Sequence, residues 1–218
     1  MNFGDNMKDK VKKVIEEEKI NPNKTYQNPF LVLLTGNVGS GKSLVSQLLS
    51  KELNLYLISG DYIRNIIKKI SPEIDLHREE VRKINNEVCL EEIKYCIKNR
   101  YSIILDRSIS SKKSLSTITE NVNLPIIFIK LISSEEENIK RVINRQEKQD
   151  IIIPHYGHQE TKSGVVTEEE YNEIKERKVY DLEDSVYSYF INTNTSLEDL
   201  KTALNSIIDD IKEKYKNN

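Results

Sequence analysis

The chain has no tryptophan, two cysteines, three histidines, five prolines and seven glycines among its 218 residues. So little proline and glycine excludes collagen-like and low-complexity classes, and two cysteines cannot build a disulfide framework. Cys89 and Cys96 fall two turns apart on one predicted helix, about 10 Å and beyond the reach of an undistorted disulfide. They read as buried apolar thiols in a reducing compartment. Long hydrophobic runs are missing too. The longest, Phe30 to Leu34 and Ile126 to Ile132, fall far short of the roughly 20 residues that cross a bilayer, and the opening MNFGDNMKDKVKK lacks the apolar stretch of a secretory signal. The expectation is a cytoplasmic protein with no membrane partner. Nor is there an excess of either charge: 33 Lys and Arg face 35 Asp and Glu, which excludes a basic nucleic-acid coat and an acidic disordered tail.

What remains, 37% hydrophobic and 31% charged residues, suits one domain able to bury a core without metal or disulfide staples. Residues 1–28 read as an N-terminal helix, at about 6–20, and a turn-rich loop, NPNKTYQNP; residues 29–218 read as the domain. FLVLL at 30–34 is apolar without alternation, as in a strand covered on both faces of a parallel sheet. Further strands are expected at 55–59, 102–106, 125–132 and 189–192. Helices are expected at 42–53, 62–70 and 75–99, from Ser134, and from Thr195 or Ser196, the last with Thr195 and Glu198 as a capping box. Alternating strands and helices make a three-layer α/β/α fold with a five-stranded parallel sheet and right-handed crossovers. Ligands bind such sheets beyond the C-terminal strand ends, so chemistry-bearing residues should gather there.

They do. Three of the seven glycines stand within GNVGSGKS at 36–43, directly after the first strand and before a helix. The spacing is G-x-x-x-x-G-K-[ST], expected by chance about 0.003 times in a chain of this composition. Glycines let the N–H groups of Gly36, Asn37, Val38, Gly39, Ser40 and Gly41 converge on phosphate oxygens at the positive end of a helix dipole. Lys42 suits the β- and γ-phosphates of ATP, and Ser43 suits Mg²⁺. A guanine-reading N-K-x-D is missing from the later strands, since the one Asn-Lys pair, Asn23-Lys24, precedes the loop. A compact kinase is the expected class.

Asp61 follows the second strand in GDYIR, with Arg64 three residues on and on the same helix face. Asp61 suits a general base for an acceptor hydroxyl, and Arg64 a bidentate grip on an acceptor phosphate or carboxylate; the alternative is that Asp61 only caps the next helix. Asp106 closes the third strand and suits a magnesium-side carboxylate, or else a cap for the segment beginning RSISS. Arg107 suits an acceptor contact or a surface charge. Only eight basic residues are arginines, yet Arg141 and Arg145 stand one helical turn apart before a polar stretch at about 146–176. That stretch reads as a lid insertion that brings Arg145, with Arg141 or Arg177, onto the ATP phosphates; otherwise the two arginines pair with Glu137 on a solvated face. His155 and His158 within it have no third ligand at metal spacing, so substrate-contact or surface roles outrank zinc.

The G-x-x-G-x-G-K-S loop, Asp61-x-x-Arg64, Asp106 and Arg141-x-x-x-Arg145 together resemble the adenylate-kinase-like P-loop kinases. Within that group the likeness is to the polynucleotide 5′-hydroxyl kinase and zeta-toxin-like branch, over about Phe30 to Ile211. The resemblance implies transfer of the ATP γ-phosphoryl to a hydroxyl, with Asp61 as base, Arg64 on the acceptor and Arg145 on the ATP phosphates. Two positions depart from it: Leu44 stands where many members have Thr, and Asp106-Arg107-Ser108 replaces the D-A-T or D-x-N often found. The loop LTGNVGSGKS also resembles that of dephospho-coenzyme A kinases. The expected acceptor is a nucleoside, a nucleotide or a polynucleotide 5′ end. The alternatives are a non-nucleotide metabolite (a sugar, a nucleotide-sugar or a coenzyme precursor) and a nucleotide-sensing interaction protein without turnover. A polynucleotide reader needs a basic track with aromatic stacking beside Asp61, for which Tyr62 and Arg64 are the candidates.

Overall fold

Apolar residues on both sides of a strand demand cover on both faces, and the first strand shows the consequence. In the computed structural model, which describes residues 3–76, 78–107, 109, 111–144 and 182–215, β1 (Leu31–Thr35) is buried along its whole length. Leu31 and Leu33 enter one apolar core, Val32 and Leu34 another. With β2 (Tyr56–Ser59), β3 (Ile103–Asp106), β4 (Ile126–Ile132) and β5 (Tyr189–Asn192) it forms an all-parallel sheet in the order β2-β3-β1-β4-β5. Helices α1 (Phe3–Glu18), α2 (Lys42–Leu53), α3 (Gly60–Ile70), α4 (Glu79–Lys98), α5 (Lys112–Thr119), α6 (Glu135–Asn144) and α7 (Leu197–Lys214) are the helices among the described residues.

The two cores sort the helices into layers. Val45, Leu48, Leu49 and Leu53 of α2 pack with Leu200, Leu204, Ile207, Ile208 and Ile211 of α7 on one face of the sheet. Ile63, Ile66 and Ile67 of α3, Val81 to Cys96 of α4, and Ile118 of α5 pack on the other. Both cysteines are buried and unpaired there, and burial pushes the Cys89 thiol up to about 11. Helix α1 joins the same face through Met7, Val11 and Ile15, one helical turn apart. Burying three such side chains stabilises by roughly 1.5–3 kcal/mol each, which outweighs the solvated ion pairs Lys8–Glu87, Lys8–Glu91 and Lys12–Glu91 beside them.

The five strands and six of the helices match the sequence expectation apart from their ends, and helix α5 was not expected. Helix α1 spans 3–18 rather than 6–20. Helix α3 begins two residues early because the Ser59 side chain, not Asp61, accepts from the Tyr62 N–H. Helix α4 starts at Glu79, after a turn in which the Arg78 N–H donates to the Asp75 carbonyl. The cap of α7 is Ser196, whose hydroxyl oxygen accepts from the Asp199 N–H at 3.1 Å; Thr195 and Glu198 are not its capping box, since the Thr195 hydroxyl donates to Asp199 instead. Helix α5 has no clear signal in the sequence: two apolar residues anchor it, and its start is set by reciprocal capping between Ser111 and Ser114.

Candidate active site

From β1 the chain crosses toward β2, and from β3 it crosses back toward β4. The crevice between β1 and β3 is therefore the switch point of the sheet, where ligands bind in this topology. Gly36 follows β1 and Asp106 ends β3 on the same edge, with Ser59 of β2 in register beside Asp106. Two strand spacings, about 10 Å, separate the ends of β1 and β2.

The loop between β1 and α2 is made by backbone conformations that side chains resist. Gly39 and Gly41 have φ of 82° and 87°, and Gly41 caps α2 in the left-handed region. A Cβ on Gly39 would lie 2.5 Å from the Asn138 carbonyl oxygen of α6, and one on Gly36 would lie 2.6 Å from the Ser40 hydroxyl. The Lys42 ammonium donates to the carbonyls of Gly36 and Asn37, both at 2.8 Å, so it is folded over the loop at the α2 N-terminus. Ser43, on the first turn of α2, is exposed. This is a cradle of glycines, backbone N–H groups, a lysine and a helix N-terminus, and its chemistry fits a polyphosphate. Among the described residues no group of three or more His, Cys, Asp or Glu could cage a metal. A Mg²⁺ here would be shared between nucleotide phosphates and a few protein oxygens, for which Ser43 and the half-buried Asp106 have the right donor type.

Across the crevice, Asp61 and Arg64 form an ion pair at 3.0 Å, with side chains 78% and 44% exposed. Because Ser59 supplies the cap, the Asp61 carboxylate faces solvent on the first turn of α3. The peptide beneath it is fixed by Asn85 of α4, a buried amide that donates to the Gly60 carbonyl at 2.9 Å and accepts from the Cys89 thiol. Arg107 stands alongside, its Cβ 3.6 Å from where a Gly60 Cβ would be, and donates to Asn86 at 2.7 Å. Arg107 and Arg64 both pull against the burial that raises the Cys89 thiol. Arg107 thus stands beside the Gly60 peptide, next to the ion pair of Asp61 and Arg64. Tyr62, between them in sequence, is turned away: its hydroxyl donates to Glu18 of α1.

Arg141 lies 4.0 Å from the position of a Gly41 Cβ, beside the loop. It donates to Glu137 at 3.0 Å and to the backbone carbonyl and hydroxyl of Thr193, which follows β5. Arg145, the 146–176 stretch with His155 and His158, Arg177 and Ser108 lie outside the described residues. Three residues that pattern reading passed over support the site, Asn85 and Tyr187 through their side chains and Asn138 through its backbone. Asn85 holds Gly60; Asn138 of α6 abuts Gly39; and Tyr187 accepts at 3.1 Å from the Thr35 hydroxyl just before the loop. No periodicity marks them, because each is a lone polar residue whose partner is far away in the chain.

The comparisons with known proteins meet this geometry. The model of the zeta toxin family matches residues 13–195. The chain belongs to the zeta toxin family. That family is one of P-loop kinases, and the α/β fold with its phosphate loop agrees with that membership. The chain is 29% identical over 124 residues to a dephospho-CoA kinase of Borrelia garinii subsp. bavariensis, and the match spans about half the length of each protein, 54%. Among solved structures it is similar in fold to a gluconokinase from Sinorhizobium meliloti, at TM-score 0.54 and 17% identity, covering 88% of this chain and 97% of that one. It is similar in the same way to a shikimate kinase from Acinetobacter baumannii, at TM-score 0.51 and 16% identity, covering 85% and 96%. No described helix is long and apolar enough to cross a membrane.

Proposed function

We propose that the protein transfers the γ-phosphoryl group of ATP to a hydroxyl of a small anionic acceptor. The observation that carries this reading is the ion pair of Asp61 and Arg64 on the exposed first turn of α3, with Arg107 beside Gly60, across the crevice from the phosphate loop. Two arginines stand at this turn with one carboxylate, and Arg107 donates to a neutral amide, Asn86. A phosphate or carboxylate on the acceptor completes the charge balance, bound bidentately. When Arg64 turns to that anion, Asp61 is released to accept the proton of the hydroxyl. The hydroxyl oxygen bonds to the γ-phosphorus, the bond from that phosphorus to the bridging oxygen breaks, and ADP leaves. Lys42 and the N–H groups of residues 36–43 stabilise the charge that grows on the phosphates. Mg²⁺, when bound, neutralises phosphate charge, and Ser43 and Asp106 would hold it. Arg141 steadies the loop from α6, and the family resemblance assigns the ATP phosphates to Arg145.

The dephospho-CoA, gluconate and shikimate kinases among the relatives are named for hydroxyl compounds that carry acid groups, which supports the same acceptor class. The geometry favours this over a polynucleotide end, because Tyr62 points into α1 rather than offering its ring to a base. A transfer screen with radiolabelled ATP tests the reading. The panel holds sugar acids, nucleotide-sugars, dephospho-coenzyme A, nucleoside monophosphates, nucleosides, neutral sugars and 5′-hydroxyl oligonucleotides. The expected result is label on an anionic hydroxyl compound. Label only on neutral sugars or on oligonucleotides overturns the acceptor assignment, and tight ATP binding with no product on any acceptor points to a nucleotide sensor.

A further inference from the structure

The contact between the phosphate loop and α6 is closer than folding alone requires. Asn138 is fully buried on the first turns of α6. Its carbonyl oxygen and Cα press on Gly39, at 2.5 and 2.9 Å from the place of a Cβ. Its side-chain oxygen accepts from the Ser133 hydroxyl at 2.7 Å, which fixes the amide plane. The other end of that amide, Nδ2, is buried with no hydrogen-bond partner among the described residues. The Ser40 hydroxyl, fully buried inside the loop itself, is in the same condition. An unpaired buried donor opposes folding, and an apolar residue of equal size would not carry that cost. A second contact lies one turn further along α6, where Arg141 stands beside Gly41 and is tied to Thr193.

We propose that Asn138 is a positioning residue that couples the phosphate loop to α6. Its amide is held in reserve for the loop. Wherever a polyphosphate draws the Lys42 ammonium off the Gly36 and Asn37 carbonyls, the loop needs another donor from beneath, and Nδ2 is a buried, unpaired donor on the residue whose backbone packs against Gly39. Loop and α6 then move as one body, and α6 carries Arg141 and runs directly to residue 145. The inference rests on residues 36–43 binding phosphate.

The test compares Asn138→Leu, which keeps the size but not the amide, with Asn138→Ser, which keeps a donor, and with Lys42→Ala. Dissociation constants for Mg-ATP and for tripolyphosphate are measured by calorimetry, and melting temperatures on the ligand-free proteins. The expected result is that Asn138→Leu weakens ATP and tripolyphosphate alike by about tenfold while its melting temperature stays level or rises, and that Asn138→Ser recovers part of the affinity. Wild-type affinity in Asn138→Leu overturns the inference. So does a fall in affinity matched by a fall in melting temperature in both variants, which is the mark of a merely structural residue. Lys42→Ala separates the levels: if it binds ATP as well as the wild type, the phosphate-loop reading itself fails, whereas loss in Lys42→Ala with full binding in Asn138→Leu removes only the role of Asn138.

Discussion

The two sides of the crevice are built from different materials. On the phosphate side the functional groups are backbone: three positive-φ glycines, a helix N-terminus, and α6 pressed so closely on Gly39 that no side chain fits there. On the acceptor side they are side chains on an exposed helix turn, Asp61 and Arg64, with Arg107 beside them and Asn85 underneath. A backbone cradle recognises what all polyphosphates share and tolerates little change. Exposed side chains on α3 can be exchanged without disturbing the core, so on the proposed reading the identity of the acceptor is set there.

Breaking the rigid side should cost both stability and nucleotide binding. Gly39→Ala puts a Cβ against the Asn138 backbone at a φ of 82° and should cost about 2 kcal/mol of stability or more. ATP affinity should drop at least tenfold by calorimetry; unchanged affinity would mean that the loop is not the rigid partner. On the other side, Asp61→Asn should lower turnover about 10²- to 10⁴-fold and leave the ATP dissociation constant within about twofold. Unchanged turnover would remove Asp61 from the chemistry. Arg64→Ala and Arg107→Ala should each raise KM for the acceptor by about tenfold with KM for ATP unmoved, and a shift in both constants would blur the division drawn above.

The smallest effect concerns the support of α3 rather than the site. Glu92 of α4 lies under α1 and β2, where Tyr56 donates to it and Lys19, Glu16 and Lys12 surround it. Burial, the largest influence, holds its carboxyl above the ordinary 4.5. A raised carboxyl favours the protonated form in the fold, so the stability it contributes is present below pH 4.5 and is lost as pH rises through the shifted value. Glu92→Gln, which still accepts from Tyr56, should raise the melting temperature at pH 7 by about 2 °C and flatten its decline above pH 4.5. A lowered melting temperature at pH 7 would show that attraction to Lys19 and Lys12 outweighs burial.

Much of this was legible in the residues alone, for reasons that differ by element. The apolar run at 30–34 and the 3–4 spacing along α2, α4 and α7 express burial directly, because a side chain's partner there is the whole core. GNVGSGKS is legible for a related reason: its function is carried by its own backbone, and glycine is the residue type that permits it. Helix α5 was not legible, since a short helix with two anchors and a local serine cap resembles a polar loop. The cap of α3 was misplaced by two residues because serine and aspartate serve equally well, and only the packed geometry chooses Ser59.

The sequence by itself determined the fold class, the order of strands and helices and the phosphate cradle, all of which follow from local periodicity and contiguous motifs. Tertiary structure alone decided that Asp61 is free of capping duty, that Tyr62 serves α1, that Arg107 stands beside Gly60 near the Asp61–Arg64 pair, and that Asn85 and Asn138 brace Gly60 and Gly39 from α4 and α6. Those are contacts between residues far apart in the chain, and their energies depend on distance and burial, which a linear pattern does not record.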